Sequence, residues 1–363
     1  MKRDEKRLER VETFTFERVI DPDSLYKSAK EARRGVMWKA SVQRYWINIL
    51  KNIFKTKKDL GSGKDIHRGF VKFVIRERGK VRNIRSVHFS ERVVQKSLCT
   101  YGLIPYLLPP LITDNPASIS GKGIRFSVER LKKHLIRHYR KHGTEGYALC
   151  VDFRKYFDSI KHDRLYEIYK KYFGHDEKLL NLSMQFIKTF GDRGIGLGSE
   201  ISQISAVAYP NVVDHYIKEE LGVKGYIRYM DDSLVIFDTK EDAQSVLNSL
   251  IKIYSAMGIT PHPHKTQIVK LSRGFTYLKI KFSMTETGKI VMRPNRKSIT
   301  RQRRKLKKFK KFFDDDKMTL AEIRNSYMSW RGHISKLSSF RTIQSMDGLF
   351  RDLYGVSPVE KKK

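Results

Sequence analysis

Apolar side chains recur at helical spacing in some segments of this chain and form short, β-prone runs in others. The helical spacing predicts long helices over residues 23–56, 127–141 and 247–257. Asp23 or Ser24 is the expected N-cap of the first helix, and Gly258 is expected to end the third. The β-prone runs predict two antiparallel strands over 71–76 and 80–85, a buried strand over 147–152 and a hairpin over 226–237.

An acidic pair lies at the tip of the predicted hairpin. Apolar, strand-forming residues flank Asp231 and Asp232 on both sides, so two negative charges are held close together. That arrangement costs free energy unless a cation binds there, and carboxylate oxygens suit Mg²⁺. The alternative is a simple polar turn, because Asp is common in turns.

The buried strand over 147–152 also ends in an acid, Asp152. If this strand lies beside the hairpin, Asp152 and Asp231 converge on one metal cluster. Two metal ions about 4 Å apart stabilise both the attacking and the leaving oxygen of an in-line phosphoryl displacement. Asp152 also fits a helix N-cap, since a helical pattern follows it, and the two roles are compatible.

These two segments resemble the catalytic palm of reverse transcriptases. Residues 152–158, Asp-(x)4-Phe-Asp, are similar to the first palm motif of that family, and Tyr229-Met-Asp-Asp232 is similar to its signature tetrad. Segments that resemble the family's other motifs follow in a consistent order from about Lys80 to about Leu337. They are the fingers segments 80–84 and 90–95, the segment 114–123, the loop and helix 196–203, Lys265, the primer-grip segment 274–282 and the thumb segment 327–333.

The resemblance implies an α+β fold of the right-hand polymerase type. It divides the chain into an N-terminal region with fingers over 1–145, a palm over 146–290 and a basic helical thumb over 291–363. The palm would combine an antiparallel sheet with helices and include part of the fingers. No RNase H, endonuclease or maturase domain is expected, since the thumb extends nearly to the last residue.

The resemblance also implies roles for single residues. Asp152, Asp231 and Asp232 would be catalytic and, with the backbone carbonyl of Phe153, would hold two Mg²⁺ ions, for which Mn²⁺ is a possible substitute. Lys265 would be catalytic by protonating the leaving pyrophosphate. The nucleotide-binding residues would be Lys80, Arg82, Phe157, Leu197, Gly198 and Gln203, and the primer grip would be Phe275, Tyr277 and Leu278. The Phe157 ring would exclude a 2′-hydroxyl, with a plain core position as the open alternative.

Positive charge dominates the composition. Lys and Arg number 74 against 39 Asp and Glu, a formal net charge of +35, which predicts a polyanionic partner. The charge is densest over 295–311, where ten of 17 residues are Lys or Arg and none is acidic. This segment predicts a basic helix along a nucleic-acid backbone, with a solvated face as the alternative. The expected nucleic-acid-binding residues are Arg296, Lys297, Arg301, Arg303, Arg304, Lys305, Lys307 and Lys308.

Two positions depart from the commonest pattern of the family. Leu197 stands where retroviral and group II enzymes carry Gln, and Gln203 stands where Pro often follows Ser. This variant is similar to the reverse transcriptases of diversity-generating retroelements, in the group II intron-like branch of bacterial enzymes. Those enzymes copy RNA with errors at adenines and work with a small, basic, helical accessory protein. Reverse transcriptases of bacterial antiviral defence systems and retron-like elements also vary here, so both assignments stay open.

The sequence thus predicts an RNA-directed DNA polymerase that uses an RNA template, a DNA or RNA primer and dNTPs. A non-catalytic RNA-binding scaffold is the alternative, although three carboxylates would repel a phosphate backbone, and a nucleotidyl cyclase would leave the basic thumb unexplained. No apolar run reaches 18 residues, so no membrane contact is expected. Two cysteines in apolar contexts and the lack of a secretory signal favour a reduced, cytoplasmic protein. The resemblance implies that a bacterium or phage encodes it.

Overall fold

Short helices build the N-terminal part of the chain. The computed structural model describes residues 2–77 and 80–359, and its first helices are α1 (Lys2–Thr13), α2 (Phe16–Ile20), α3 (Pro22–Ala32), α4 (Ala40–Ile47) and α5 (Ile49–Gly61). The prediction of one helix over 23–56 was wrong, because Gly35 adopts a left-handed φ of 73° that breaks the helical path. The N-cap is Asp21, not Asp23 or Ser24, and its side chain accepts a hydrogen bond from the Ser24 amide at 3.1 Å.

A two-stranded hairpin follows these helices, as predicted. β1 (Phe70–Glu77) pairs antiparallel with β2 (Lys80–Val87), with Phe73 opposite Ile84. The predicted turn at 78–79 and the side chain of Lys80 lie outside the described residues. The chain then returns to the core through α6 (Phe89–Leu98), a π-helical turn (Cys99–Leu103) and α7 (Ile104–Leu107).

The predicted helix over 127–141 is observed as α8 (Ile124–His142). Its buried side chains Val128, Leu131 and Leu135 form a stripe at helical spacing, and this stripe joins a hydrophobic core with strand residues. The helix therefore packs along one face of the central sheet.

Four antiparallel strands form that central sheet. They are β3 (Tyr147–Asp152), β4 (Tyr226–Tyr229), β5 (Asp232–Phe237) and β6 (Gln267–Lys270), in the spatial order β4-β5-β3-β6. Alternate residues of β3 enter two different cores: Leu149 and Val151 face a large helical core, whereas Ala148 and Cys150 face the core that contains the α8 stripe. Burial on both faces explains the uninterrupted apolar run that predicted this strand.

Helices connect the strands of the central sheet and build the large core. They are α9 (Tyr156–Ser159), α10 (His162–Phe173), α11 (Glu177–Lys188), α12 (Glu200–Ala208), α13 (Asn211–His215) and α14 (Lys240–Ala256), with a π-helical turn at Tyr216–Glu220. α14 includes most of the predicted helix over 247–257 but begins earlier, because the Thr239 side chain caps it by accepting from the Asp242 amide at 3.1 Å. Gly258 follows this helix with a φ of 77°, as predicted for its end.

A second sheet and three helices complete the described chain. The strands are β7 (Phe275–Tyr277), β8 (Ile280–Met284) and β9 (Ile290–Pro294), and the helices are α15 (Arg296–Asp314), α16 (Leu320–Ile334) and α17 (Phe340–Tyr354). These helices pack around a hydrophobic cluster of their own, whose buried members are Leu306, Ile323, Tyr327, Met346 and Phe350. The C-terminal region is thus helical, as predicted, whereas the division at 145 and 290 stays a prediction.

Two further expectations concern cysteines and membranes. Cys99 and Cys150 are both buried free thiols, and burial raises the pKa of Cys150 to about 12. Within residues 2–77 and 80–359, no helix is long and apolar enough to cross a membrane.

Candidate active site

Two of the predicted metal ligands face each other across neighbouring strands. Asp152 ends β3 and is the antiparallel partner of Asp232, which begins β5. Tyr229 also pairs with Asp232, so Met230 and Asp231 form a two-residue turn between β4 and β5. The hairpin and its acidic tip are therefore as the sequence predicted. The three aspartates lie together at one end of the strands of the central sheet.

The electrostatics of these carboxylates favour a bound cation. Burial is the main cause that raises the pKa of Asp232 to about 7, and the charges of Asp231 and Asp152 add to it. The Leu278 amide opposes this rise by donating to Asp232 Oδ2 at 3.2 Å. A divalent cation would favour the ionised form, and carboxylate oxygens suit a hard ion, so the residues present fit a metal site.

A tight turn brings Lys265 to the same carboxylates. The Lys265 amide donates to the His262 carbonyl at 3.1 Å, and the His262 amide donates to the Asp152 carbonyl at 2.7 Å. The Nζ of Lys265 lies 2.6 Å from Asp152 Oδ1, and 46% of this lysine side chain is exposed. An accessible ammonium therefore lies directly beside the proposed metal ligands.

A buried ion pair next to the turn was not predicted from the sequence. Arg228 on β4, with 1% of its side chain exposed, lies with Nη2 2.6 Å from Asp214 Oδ2 on α13. The guanidinium also donates to the Met230 carbonyl at 3.0 Å and to the Val207 carbonyl at 2.9 Å. Met230 has a left-handed φ of 59°, which is unfavourable for a bulky side chain, so Arg228 holds the turn that presents Asp231. An arginine inside an apolar strand was the signal in the sequence.

Phe157 lies beside the loop that carries Leu197 and Gly198. Its carbonyl accepts from the Ile195 amide at 2.9 Å, and its ring packs half-buried against the large helical core. Leu197 is also half-buried, while Gly198 is exposed. A half-buried ring is compatible with contact to a sugar and with a supporting position in the core, so both alternatives for Phe157 stay open.

An open cavity joins this loop to the hairpin of β1 and β2. Gly198 has a φ of 106°, and a Cβ there would lie 3.2 Å from Ile84 Cγ2 on β2. Arg82 lies two residues before Ile84, so both side chains project from the same face of the strand. The cavity has a volume of about 410 Å³, and its lining includes Ser86, Arg92, Lys96, Gly198 and Gln203. Two of the predicted nucleotide-binding residues, Gly198 and Gln203, therefore share one cavity.

The predicted primer-grip residues lie on β7 and at its end. Phe275 and Tyr277 are buried in the second sheet, with 4% and 1% exposure, and the Tyr277 hydroxyl is 2.8 Å from Ser127 Oγ. Their side chains support the sheet and do not reach a surface that a primer could contact. Leu278 follows with a φ of 48° and donates its amide to Asp232. A primer grip in this segment would therefore depend on Leu278 and the neighbouring backbone.

The eight basic residues predicted to bind nucleic acid all occupy exposed positions of α15. The apolar side chains Ile299, Leu306 and Phe309 of the same helix turn toward the C-terminal hydrophobic cluster. We call the exposed set the basic face, and its members are Arg296, Lys297, Arg301, Arg303, Arg304, Lys305, Lys307 and Lys308.

An antiparallel sheet with three aspartates at one end, in a chain that also carries a strongly basic helix, is the arrangement expected of a nucleotidyltransferase of the polymerase type. Residues 75–282, more than half of the chain, match the family model described as reverse transcriptase (RNA-dependent DNA polymerase). The chain belongs to the reverse transcriptase family. This match confirms the predicted α+β polymerase fold and the predicted membership of the reverse transcriptase family.

Similar proteins of known structure include an apo telomerase from Candida tropicalis, truncated from its C-terminal domain. Sequence identity to it is 16%, the TM-score is 0.44, and the alignment covers 61% of this chain and 54% of that chain. The present chain thus spans about half the length of that telomerase. A search of curated proteins found no match.

Proposed function

We propose that this protein is an RNA-directed DNA polymerase that extends a DNA or RNA primer with dNTPs on an RNA template. The main support for this proposal is the register of β3 and β5, which sets Asp152 opposite Asp232. Asp231 directly precedes Asp232, so the three carboxylates lie in one region. A protein that only binds nucleic acid gains nothing from three carboxylates near a phosphate backbone, because they repel it. Nucleotidyl transfer with two divalent ions requires such carboxylates.

We assign Asp152, Asp231, Asp232 and the Phe153 carbonyl as ligands of two Mg²⁺ ions, for which Mn²⁺ can substitute. When bound, such ions stabilise the attacking and leaving oxygens of the transfer. We infer that Lys265 donates a proton to the departing pyrophosphate, which its 2.6 Å contact with Asp152 Oδ1 supports.

The incoming nucleotide would bind between the β1–β2 hairpin and the loop before α12. The shared cavity of Gly198 and Gln203 supports this proposal, as does the orientation of Arg82 on the Ile84 face of β2. Arg82 and Lys80 would clamp the triphosphate, since guanidinium groups bind phosphate bidentately. Phe157 would lie under the sugar.

The division into fingers over 1–145, palm over 146–290 and thumb over 291–363 belongs to the same proposal. The separate hydrophobic cluster of α15, α16 and α17 supports the thumb as a packing unit of its own. The basic face of α15 would follow the backbone of the template–primer duplex, because exposed Lys and Arg release counterions from phosphates.

Substitution of a metal ligand tests the proposed activity. The Asp231→Asn variant should lose primer extension on RNA with Mg²⁺ and dNTPs, while its RNA affinity stays close to wild type, because the ions and not the fold depend on this carboxylate. Asp352→Asn, at an exposed position of α17, is the matched control and should extend primers normally. Extension by Asp231→Asn at the wild-type rate would refute the site assignment.

We further propose that the enzyme is an error-prone polymerase of a diversity-generating retroelement in the group II intron-like branch. The apolar Leu197 and the Gln203 that lines the cavity support this assignment. A small, basic, helical accessory protein would then be its partner. A role in bacterial antiviral defence or in a retron-like element is the alternative, and the fidelity measurement described below separates the two.

A further inference from the structure

Two histidines and an aspartate converge at the end of the central sheet that lies away from the catalytic carboxylates. His138 and His142 are one turn apart in the last part of α8, and Asp238 directly follows β5. His138 Nδ1 and His142 Nε2 each lie 3.5 Å from the same oxygen, Asp238 Oδ1. One atom from each of the three residues lies within 4.8 Å of the others. None of the proposed polymerase residues belongs to this group.

The spacing of these atoms fits metal ligation better than hydrogen bonding. A strong N–H···O bond is about 2.7–3.2 Å long, so both contacts at 3.5 Å are too long for one. Two ligand atoms about 2.0–2.1 Å from a tetrahedral Zn²⁺ ion are roughly 3.3 Å apart. Both N–O distances, at 3.5 Å, are close to that value.

The residues around His138 hold its imidazole ring in an orientation that leaves one nitrogen available to bind a metal ion. Its Nε2 is 2.7 Å from the Glu145 carbonyl, so the N–H points there and Nδ1 is left with its lone pair toward Asp238. The His138 side chain is only 8% exposed. Gly146 makes room for the ring, since a Cβ at this position would lie 2.6 Å from His138 Nε2.

Charge also favours a metal ion over a simple ion pair. The two imidazole rings stack with centroids 4.9 Å apart, and two imidazolium charges at that distance would repel. The single carboxylate of Asp238 neutralises only one of them. Neutral imidazoles on a divalent cation avoid this conflict, and the C-terminal end of α8 adds a favourable partial negative charge.

We propose that His138, His142 and Asp238 form a binding site for a divalent transition metal, Zn²⁺ foremost, with water completing the coordination. Two imidazoles and one carboxylate suit Zn²⁺, whereas Mg²⁺ prefers oxygen ligands alone. The ion joins the end of α8 to the end of β5, about 20 Å along the strand from Asp232 at roughly 3.3 Å per residue. It is a structural clamp on the strand that carries the catalytic carboxylate.

The proposal is tested with Co²⁺ as a spectroscopic probe and Zn²⁺ as its competitor. Untagged protein is stripped with EDTA and titrated in excess Mg²⁺, which occupies the catalytic carboxylates without competing for imidazole. Wild type should bind one Co²⁺ with the intense visible absorption of tetrahedral coordination, and one equivalent of Zn²⁺ should abolish it. Zn²⁺ should also raise the thermal unfolding temperature.

Variants at exposed ligands keep this test independent of folding. His142→Ala and Asp238→Asn should each weaken Co²⁺ binding by about tenfold or more and remove the stabilisation by Zn²⁺. His333→Ala, at an exposed position of α16, is the matched control and should bind as wild type does. Absence of the tetrahedral spectrum in wild type, or unchanged binding in both ligand variants, would overturn the proposal.

Discussion

At the scale of the residue, the position of the turn that presents Asp231 depends on a side chain with no proposed chemical role. Arg228 contacts no proposed substrate atom, yet its guanidinium joins Asp214 to the Met230 carbonyl. Lysine cannot replace it, because one ammonium does not reproduce the planar fork that reaches several acceptors at once. Arg228 is therefore a positioning residue for Asp231.

Arg228→Lys should lower kcat for primer extension, on the order of 100-fold for a displacement near 1 Å, with little change in the KM for dNTPs. Arg228→Met should instead lower the free energy of unfolding by about 3–5 kcal/mol, because Asp214 would stay buried without its partner. Steady-state kinetics and urea unfolding measure the two effects. Arg137→Lys, on the exposed side of α8, controls for the loss of a surface guanidinium. Equal kcat in Arg228→Lys and wild type would contradict the positioning role.

Phe157 is expected to select deoxyribonucleotides. Phe157→Val should improve the use of rNTPs relative to dNTPs by about tenfold or more, because no ring would then meet the 2′-hydroxyl. The ratio of kcat/KM values for a matched rNTP and dNTP measures this change. Phe54→Val, at an exposed position of α5, is the control. A variant that is less stable but equally selective would assign Phe157 to the core.

Leu197 is expected to limit fidelity. Its side chain cannot hydrogen-bond the nascent base pair, and one such bond is worth roughly 1 kcal/mol, or several-fold in discrimination. Leu197→Gln should therefore reduce errors, most visibly opposite template adenines, in deep-sequenced cDNA from one defined RNA. Leu197→Met, which keeps the position apolar, should leave the error rate unchanged. Low errors in wild type and variant alike would favour the antiviral-defence alternative, and high errors in both would direct attention to Gln203.

The three aspartates that the structure brings together could be singled out from the sequence because each stands in a short segment with its own signal. Asp152, Asp231 and Asp232 follow or interrupt apolar strands, and such charges need a partner. The Arg228–Asp214 pair could not be predicted in the same way, since its halves lie on different elements and only folding brings them together. Burial of Phe275 and Tyr277 likewise depends on the packing of the second sheet against α8.

At the scale of the element, α15 packs one side against a hydrophobic cluster and exposes the other side to solvent. Its buried side contributes Leu306 to the C-terminal cluster, while the basic face remains exposed. The dense run of Lys and Arg over 295–311 predicted this helix correctly, whereas its contribution to a core was not predicted. The break in the predicted helix over 23–56 was less visible, because Gly35 alone signals it and isolated glycines are tolerated in helices.

The basic face predicts a measurable salt dependence. Replacing Lys297, Arg304, Lys307 and Lys308 with Gln should lower the slope of log affinity against log salt by about 3–4 units, at ~0.9 per duplex phosphate contact. Fluorescence anisotropy with an RNA–DNA duplex measures the slope. The control replaces four exposed lysines of α5, which removes the same charge elsewhere; they are Lys51, Lys55, Lys57 and Lys58. Equal slopes in the two variants would show that α15 does not follow the backbone.

At the scale of the whole molecule, the chain carries a net charge of +35, and its described residues form three separate hydrophobic clusters. The charge could be read directly from composition and indicated a polyanionic partner. The fold class followed from the order of motifs along the chain, whereas the strand order β4-β5-β3-β6 required long-range pairing that no local pattern contains. Alternate burial of β3 residues in two clusters explains why that strand carried a strong apolar signal.

The register that sets Asp152 opposite Asp232 also determines which insertions and deletions the fold tolerates. Loss or gain of one codon within β3 or β5 shifts the strand by one residue and turns its side chains to the opposite face. Ala148 and Cys150 would then enter the core that Leu149 and Val151 fill, and an aspartate would leave the proposed metal site. A codon added to the connection between α15 and α16 joins two helices and shifts no strand register. Descendants of this gene should therefore vary in the length of their connections while these two strands keep a constant number of codons.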